Sequence, residues 1–220
     1  MATSASARPR PKIHAPKGQR TREGILRAAV NIASVEGLEG LTIGRLADEL
    51  KMSKSGLFAH FGSKEDLQLA TVGMARQIFV EYVVRPSLAE PPGMPRLWSL
   101  CDRWLGHVED KIFPGGCFFT AASFEFDSRP GAVRDAVVEA MTKWLDTLTR
   151  AVEEAKKARH IKSNVDAAQF AFEIYSMAMG AHWAFQLLDQ KRAMLKARES
   201  ILARIRSLGT RSCPSIQVRV

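Results

Sequence analysis

The sequence predicts an all-α chain built from a small N-terminal three-helix unit and a larger C-terminal helical one. Three observations lead there. Apolar residues recur at helical spacing from Thr21 to Leu208, no run alternates apolar and polar residues between turn dipeptides, and Gly or Pro punctuates the periodic segments at short intervals. With 46% apolar and 25% charged residues in 220, the chain can fill a real core, which excludes disordered and collagen-like classes.

Each element has its own signal. Residues 1–19, with Pro9, Pro11, Pro16 and Gly18 among basic side chains, read as a disordered basic arm. A first helix is predicted from about Thr21, burying Ile25, Ala28, Ala29, Ile32 and Ala33 on one face until Gly37 ends it. Thr42 has the position of an N-cap for a short second helix that shows Ile43, Leu46, Ala47 and Leu50 to one side. Lys51 and Met52 form a turn, and Ser53 caps a third short helix reaching about Phe61. Ser63 with Asp66 then gives a capping-box-like start to a long helix carrying Leu67, Ala70, Met74, Ile78 and Tyr82, closed by Pro86 and the segment from Pro91 to Pro95.

Further helices are expected at about 95–111, 118–126, 130–158, 166–189 and 193–208. The 130–158 helix has a single stripe of Val133, Ala136, Val137, Ala140, Met141, Trp144, Leu148 and Val152. The 166–189 helix is apolar all round and must therefore be covered on all sides. The expected division is a basic arm at 1–19, a helix-turn-helix unit at 20–66, a larger helical unit at 67–209, and a tail at 210–220.

The formal charge of +9 is unevenly placed. Residues 1–20 carry five basic residues and no acid, and residues 191–220 carry eight against one, around a body close to neutral. Such ends suit a polyanionic partner, or are a solvated tail. The longest apolar stretch, around Ile174 to Phe185, is too short to cross a bilayer, which needs about 20 residues. No membrane association is expected. The basic N-terminus lacks the apolar core of a secretory signal, so a cytoplasmic protein is expected, and Cys101, Cys117 and Cys213 suit reduced thiols.

Residues 42–61 read helix, tight turn, helix, with Ser53, Lys54 and Ser55 opening the second helix. A bare αα-hairpin has the same periodicity. A DNA-reading pair differs in presenting a helix N-terminus, whose N–H groups and short polar or basic side chains meet phosphates and base edges in the major groove. Gly56 and Ala59 let that helix approach closely. The stretch Thr42-Ile-Gly-Arg-Leu-Ala-Asp-Glu-Leu-Lys-Met-Ser-Lys-Ser-Gly-Leu-Phe-Ala-His-Phe-Gly-Ser-Lys-Glu-Asp-Leu67 resembles the DNA-binding domain of the TetR family of bacterial transcriptional regulators, over about residues 20–67.

That resemblance implies a homodimer on double-stranded operator DNA, its two recognition helices in successive major grooves about 34–36 Å apart. Ser53, Lys54 and Ser55 would face base edges, while Thr42, His60 and Lys64 would hold phosphates. Two positions depart from the family pattern: Lys51 stands where a glycine commonly makes the turn, and Phe58 where a tyrosine hydroxyl commonly reaches a phosphate. Lys51 is expected to restore the attraction lost at Phe58. Arg8, Arg10 and Lys12 are candidates for an adjoining minor groove, against the alternative of nonspecific attraction by a tail.

The C-terminal part gathers aromatic, sulfur and imidazole residues, the composition of an interhelical small-molecule site or of a packed core. Trp104, His107, Phe119, Trp144 and His182 are the expected lining for a largely apolar effector with one hydrogen-bonding end. Cys101, His107 and Cys117 match no zinc spacing, so no metal and no cofactor are expected. An enzyme using Cys117 or His107 is disfavoured, because the sequence lacks a nucleophile elbow or phosphate loop. Dimerisation is expected through the last two helices, where Leu195, Ile201, Leu202, Ile205 and Leu208 face the 166–189 helix. The function expected is a ligand-responsive transcriptional regulator, a repressor released by its ligand; an activator of the same architecture and a weakly specific basic DNA-associated protein are the alternatives.

Overall fold

The computed structural model describes residues 17–216, and among these the regular structure is helical, apart from one antiparallel bridge between Ile161 and Gly209. Helix α1 runs Lys17–Glu36. It starts four residues before the expected Thr21, as an extension of a helix already held by its buried face. The arm predicted at 1–19 therefore overlaps α1, and Arg8, Arg10 and Lys12 lie outside the described residues. Ile25, Ala29, Ile32 and Ala33 are buried, with Ala28 at the edge of the stripe, and Gly37 ends the helix at φ 86.

Helices α2 (Ile43–Leu50) and α3 (Lys54–Phe61) follow. Both predicted caps form: Thr42 Oγ1 accepts from the Arg45 N–H at 3.0 Å, and Ser53 Oγ from the Gly56 N–H at 3.2 Å. Each satisfies one orphan donor of its helix. Leu38, Leu41, Leu46, Leu57 and Leu67 are almost wholly buried and close the core of this unit. Ser63 caps α4 (Lys64–Phe79), accepting from the Asp66 N–H at 3.0 Å and donating to Asp66 Oδ2 at 2.7 Å.

Pro86 does not close this long helix. The path continues through a π-helical turn, Val80–Val84, into α5 (Arg85–Leu88), with Pro86 in the first turn of the new segment. A proline has no N–H to give and clashes with the carbonyl four residues back, and the wider π turn absorbs both problems. The extra residue also rotates the face: Val83 is fully buried, whereas Tyr82, predicted on the inner stripe, is 52% exposed.

The remaining helices are α6 (Met94–Glu109), α7 (Phe118–Phe126), α8 (Ala132–Lys157), α9 (Ala167–Gln186) and α10 (Ala193–Leu208). Helix α8 is central and packs against α4, α6, α7 and α9 through its predicted stripe, while α10 packs against α9 and α6. The burial within one chain bears on two expectations. The stripe of α10 is covered by its own chain, with Ile201, Leu202 and Ile205 buried. Helix α9 is left uncovered by its own chain along one face, where Phe172 and Trp183 are 62% and 56% exposed. Residues 210–216 are also not featureless: the Thr210 N–H donates to the His160 carbonyl at 3.1 Å, and Cys213 and Ile216 pack on the core.

Two close contacts tie the N-terminal helices to the rest. Gly115 lies so near α1 that a Cβ there would sit 1.7 Å from the Ser34 carbonyl oxygen, and its N–H donates to Ser34 Oγ at 3.2 Å. From α7, Glu125 reaches the turn after α1, Oε2 accepting from the Leu38 N–H at 2.7 Å and Oε1 from the Glu39 N–H at 2.9 Å.

Candidate nucleic-acid interface and cavity

The N-terminus of α3 is presented outward. Ser53, Lys54, Ser55, Phe58 and Ala59 are exposed, on a helix whose inner face is pinned by buried Leu57 and Phe61. Ser55 Oγ donates to Ser53 Oγ at 3.3 Å, so the capping hydroxyl is oriented by its neighbour. The Lys54 stem lies back over Gly44, close enough that a Cβ at 44 would meet Cε at 3.6 Å. Gly56 is held against the cap, where a Cβ would lie 3.1 Å from Ser53 Oγ. Lys51 adopts the left-handed conformation at φ 54, ψ 38, its N–H donating to the Ala47 carbonyl. This is the geometry for which a glycine is favoured, and a lysine there costs about 1 kcal/mol.

Thr42 is exposed beside this surface, and its hydroxyl oxygen is already engaged in capping α2. His60 is half-buried, its ring tilted 6.1 Å from that of Phe61. Lys64 Nζ is 2.7 Å from Glu39 Oε1, so it must leave this exposed ion pair to meet a phosphate. Arg45, which the sequence did not single out, is also engaged, with Glu36 at 2.6 Å and Glu49 at 2.9 Å. Among the described residues, Lys51 and Lys54 are the cations of α2 and α3 outside such ion pairs.

A cavity of about 480 Å³ opens between α4, the π turn, α6, α7 and α8. Phe79, Val80, Trp104, Phe119, Met141 and Trp144 supply its apolar wall. Phe79 stands edge-on to Trp144 at 5.0 Å and to Phe119 at 6.2 Å, and Trp104 meets Trp144 at 5.1 Å. Aromatic edges meeting faces at these distances make a firm wall. Trp144 Nε1 is buried without a hydrogen-bond partner.

Of the five residues expected in the lining, Trp104, Phe119 and Trp144 line this cavity, whereas His182 lines a small void behind Trp104 and Cys117, and His107 lines a separate polar cavity of about 600 Å³ with Asp102 and Arg103. His107 Nδ1 donates to the Trp104 carbonyl, and its ring packs edge-on against Phe79 at 5.5 Å. His182 Nε2 accepts the Cys117 N–H at 3.0 Å. Burial, with His107 nearby, pushes His182 down to about 4, so it holds that bond as the neutral ring. Burial also pushes the Cys101 thiol up to about 12. At Cys117 burial acts in the same sense, but the His107 ring and Thr120 outweigh it and bring the thiol down to about 7.

Among the described residues, no three His, Cys, Asp or Glu side chains gather where a metal ion could be held, and no helix is long and apolar enough to cross a membrane. The feature that sequence reasoning missed is the position of α7. Its first turn, Phe119 and Thr120, lines the cavity, and its last turn holds Glu125 on the α1–α2 turn. The contact spans 86 and 87 residues of sequence, beyond the reach of any local pattern.

Known proteins share both parts of this arrangement. Residues 25–71 match the family described as bacterial regulatory proteins, tetR family, and residues 93–201 match the tetracyclin repressor-like C-terminal domain. The HTH-type transcriptional regulator TcmR of Streptomyces glaucescens is 28% identical over 106 residues, 48% of this chain and 46% of that one. The match therefore spans about half the length of that relative. A TetR transcriptional regulator from Chloroflexus aurantiacus J-10-FL superposes with a TM-score of 0.81 at 25% identity, covering 88% of this chain and 98% of that one. AibR, solved in complex with isovaleryl coenzyme A and operator DNA, has a TM-score of 0.66 at 21% identity over 83% and 97% of the two chains.

Proposed function

Because the chain belongs to the TetR family of bacterial transcriptional regulators, we propose that it represses transcription from an operator and is released by a small molecule held in the 480 Å³ cavity. One observation carries this reading: α4 is a single rod with its capped N-terminus against the DNA-facing helices and its C-terminal half in the cavity wall. At one end Gln68 Nε2 donates to the Leu38 carbonyl at 2.8 Å, and Lys64 pairs with Glu39. At the other, Phe79 closes the aromatic wall. A ligand that favours one spacing of that wall thereby favours one orientation of α3, which is how differential binding becomes regulation.

Ser53, Lys54 and Ser55 meet base edges in this reading, and Lys51 and Thr42 meet phosphates. Phe58, with no hydroxyl to donate, presents its exposed ring to thymine methyl groups or sugars. Two copies associate through α9. Phe172, Ser176, Gly180, Trp183 and Leu187 form one exposed face, and a Cβ at Gly180 would meet nothing within 4 Å. Small residues between two large ones let a second α9 nest closely, so α10 supports the interface without its buried stripe.

A footprint over the DNA flanking the gene tests the reading. Protection of a near-palindromic site with half-sites about one helical turn apart is expected, lost on Lys54→Ala. Equal binding to random DNA refutes operator recognition in favour of nonspecific attraction. Phe172→Glu is expected to give a single-chain sedimentation mass, and an unchanged mass refutes the α9 interface.

A further inference from the structure

The mouth of the cavity differs in character from its wall. Among the described residues that line it, Arg76 from α4 and Lys143 from α8 carry charge and no carboxylate does. Both cations turn to a carboxylate just outside: Arg76 Nη1 is 3.7 Å from Glu139 Oε1, and Lys143 Nζ donates to the same oxygen. One anionic oxygen thus bridges two helices at the rim, with Gln77 and Thr147 as polar neighbours of the opening. The cations are about half exposed, so the Glu139 link is weak and exchangeable.

We propose that the effector is an apolar, ring-bearing organic monoanion, its rings against Phe79, Trp104 and Trp144 and its acidic head between Arg76 and Lys143, where it takes over the place of the Glu139 carboxylate. The inference rests on reading the cavity as an effector site. A neutral apolar molecule would leave the two cations with Glu139, and a cationic one would meet two like charges at the entrance. The anionic head also supplies a regulatory link, because Arg76 belongs to α4 and Lys143 to α8. A ligand bound by both fixes the spacing of these helices, while its rings fix the spacing of Phe79 and Trp144.

The test uses three ligands of one skeleton, 2-naphthoate, 2-naphthamide and 2-naphthylmethylammonium, titrated into the full chain with tryptophan fluorescence as readout, since Trp104 and Trp144 face the cavity. In the native chain the acid is expected to bind roughly tenfold tighter than the amide, and the ammonium weakest, charge-assisted contacts being discounted for exposure. Arg76→Gln with Lys143→Gln should compress the acid-to-amide ratio to within about twofold, and Glu139→Gln, which removes the competitor, should tighten the acid by a few-fold. An amide as tight as the acid, a weaker acid on Glu139→Gln, or no saturable change with any of the three overturns the proposal. No DNA enters this titration. A footprint with equal acid and amide binding sinks only the ligand class, and acid binding without a footprint sinks only the regulator.

Discussion

Glu125 offers the most direct test of how the cavity is joined to the DNA-facing helices. Its two carboxylate oxygens accept the Leu38 and Glu39 N–H groups at 2.7 and 2.9 Å, and Leu38 is only 1% exposed. Glu125→Ala removes both acceptors and strands the Leu38 donor. Charge-assisted bonds contribute about 1.5–3 kcal/mol each, and discounting the half-buried Glu125 and Glu39 leaves a loss of about 2–3 kcal/mol. For a chain of this size, that is a fall in Tm of roughly 4–12 °C, measured by urea and thermal denaturation followed by circular dichroism. Glu125→Gln keeps one acceptor and should lose about half as much. Below the transition of the variant, the cavity ligand should shift operator affinity less than it does in the native chain. A stability loss under about 0.5 kcal/mol, together with an unchanged ligand effect, would refute the claim that this contact couples the two parts.

Other perturbations have equally definite signs. Gly115→Ala should destabilise by about 3 kcal/mol or more in urea denaturation, because the new Cβ would lie 1.7 Å from the Ser34 carbonyl oxygen and force α1 away; a change within about 0.5 kcal/mol contradicts that packing. Lys51→Gly should stabilise by about 0.5–1 kcal/mol by relieving φ 54, whereas Lys51→Ala should lower the salt slope of operator binding by about 0.9 per copy. An unchanged slope removes Lys51 from the phosphate contacts. His182, held neutral at about 4 when folded, takes up a proton near 6.5 when unfolded, so the unfolded state binds more protons between those values. Stability should therefore fall with falling pH across 6.5 to 4, by up to about 1.4 kcal/mol per unit from this group, and His182→Gln should flatten that part of the profile.

What could be read from the sequence divides along the range of the interactions. The caps at Thr42, Ser53 and Ser63 and the stripes of α1 and α8 were legible because each is set by residues within about one to two turns. The π turn was not: it arises from fitting Pro86 into a helix held at both ends, and it moves Val83 inward in place of Tyr82. The outward face of α3 could be anticipated from Ser53 to Ser55, but the pairing of Lys64 with Glu39 could not, since 25 residues separate them. In the cavity, composition marked Trp104, Phe119 and Trp144. Composition could not separate them from His107 and His182, which line other spaces.

If the cavity regulates DNA binding as proposed, the length of α4 lets small changes there suffice. From Phe79 to Lys64 the helix rises about 22 Å, so a tilt of about 5° about its cavity end displaces its DNA-facing end by roughly 2 Å. In a symmetric pair the two displacements add, giving roughly 4 Å in the separation of the recognition helices. This exceeds the 3.4 Å spacing of successive base pairs, and side chains set to bond particular base edges would then face the wrong step. The π turn at Val80–Val84 lies where such a tilt would pivot, directly after Phe79, so the bend falls where the hydrogen-bond ladder is already irregular. Glu125 moves the α1–α2 turn along with α7, so α4 cannot tilt alone without stretching the bonds to Leu38 and Glu39. In the proposed mechanism the two links therefore act together, and a ligand that lowers operator affinity is expected to shift α4 and α7 in concert.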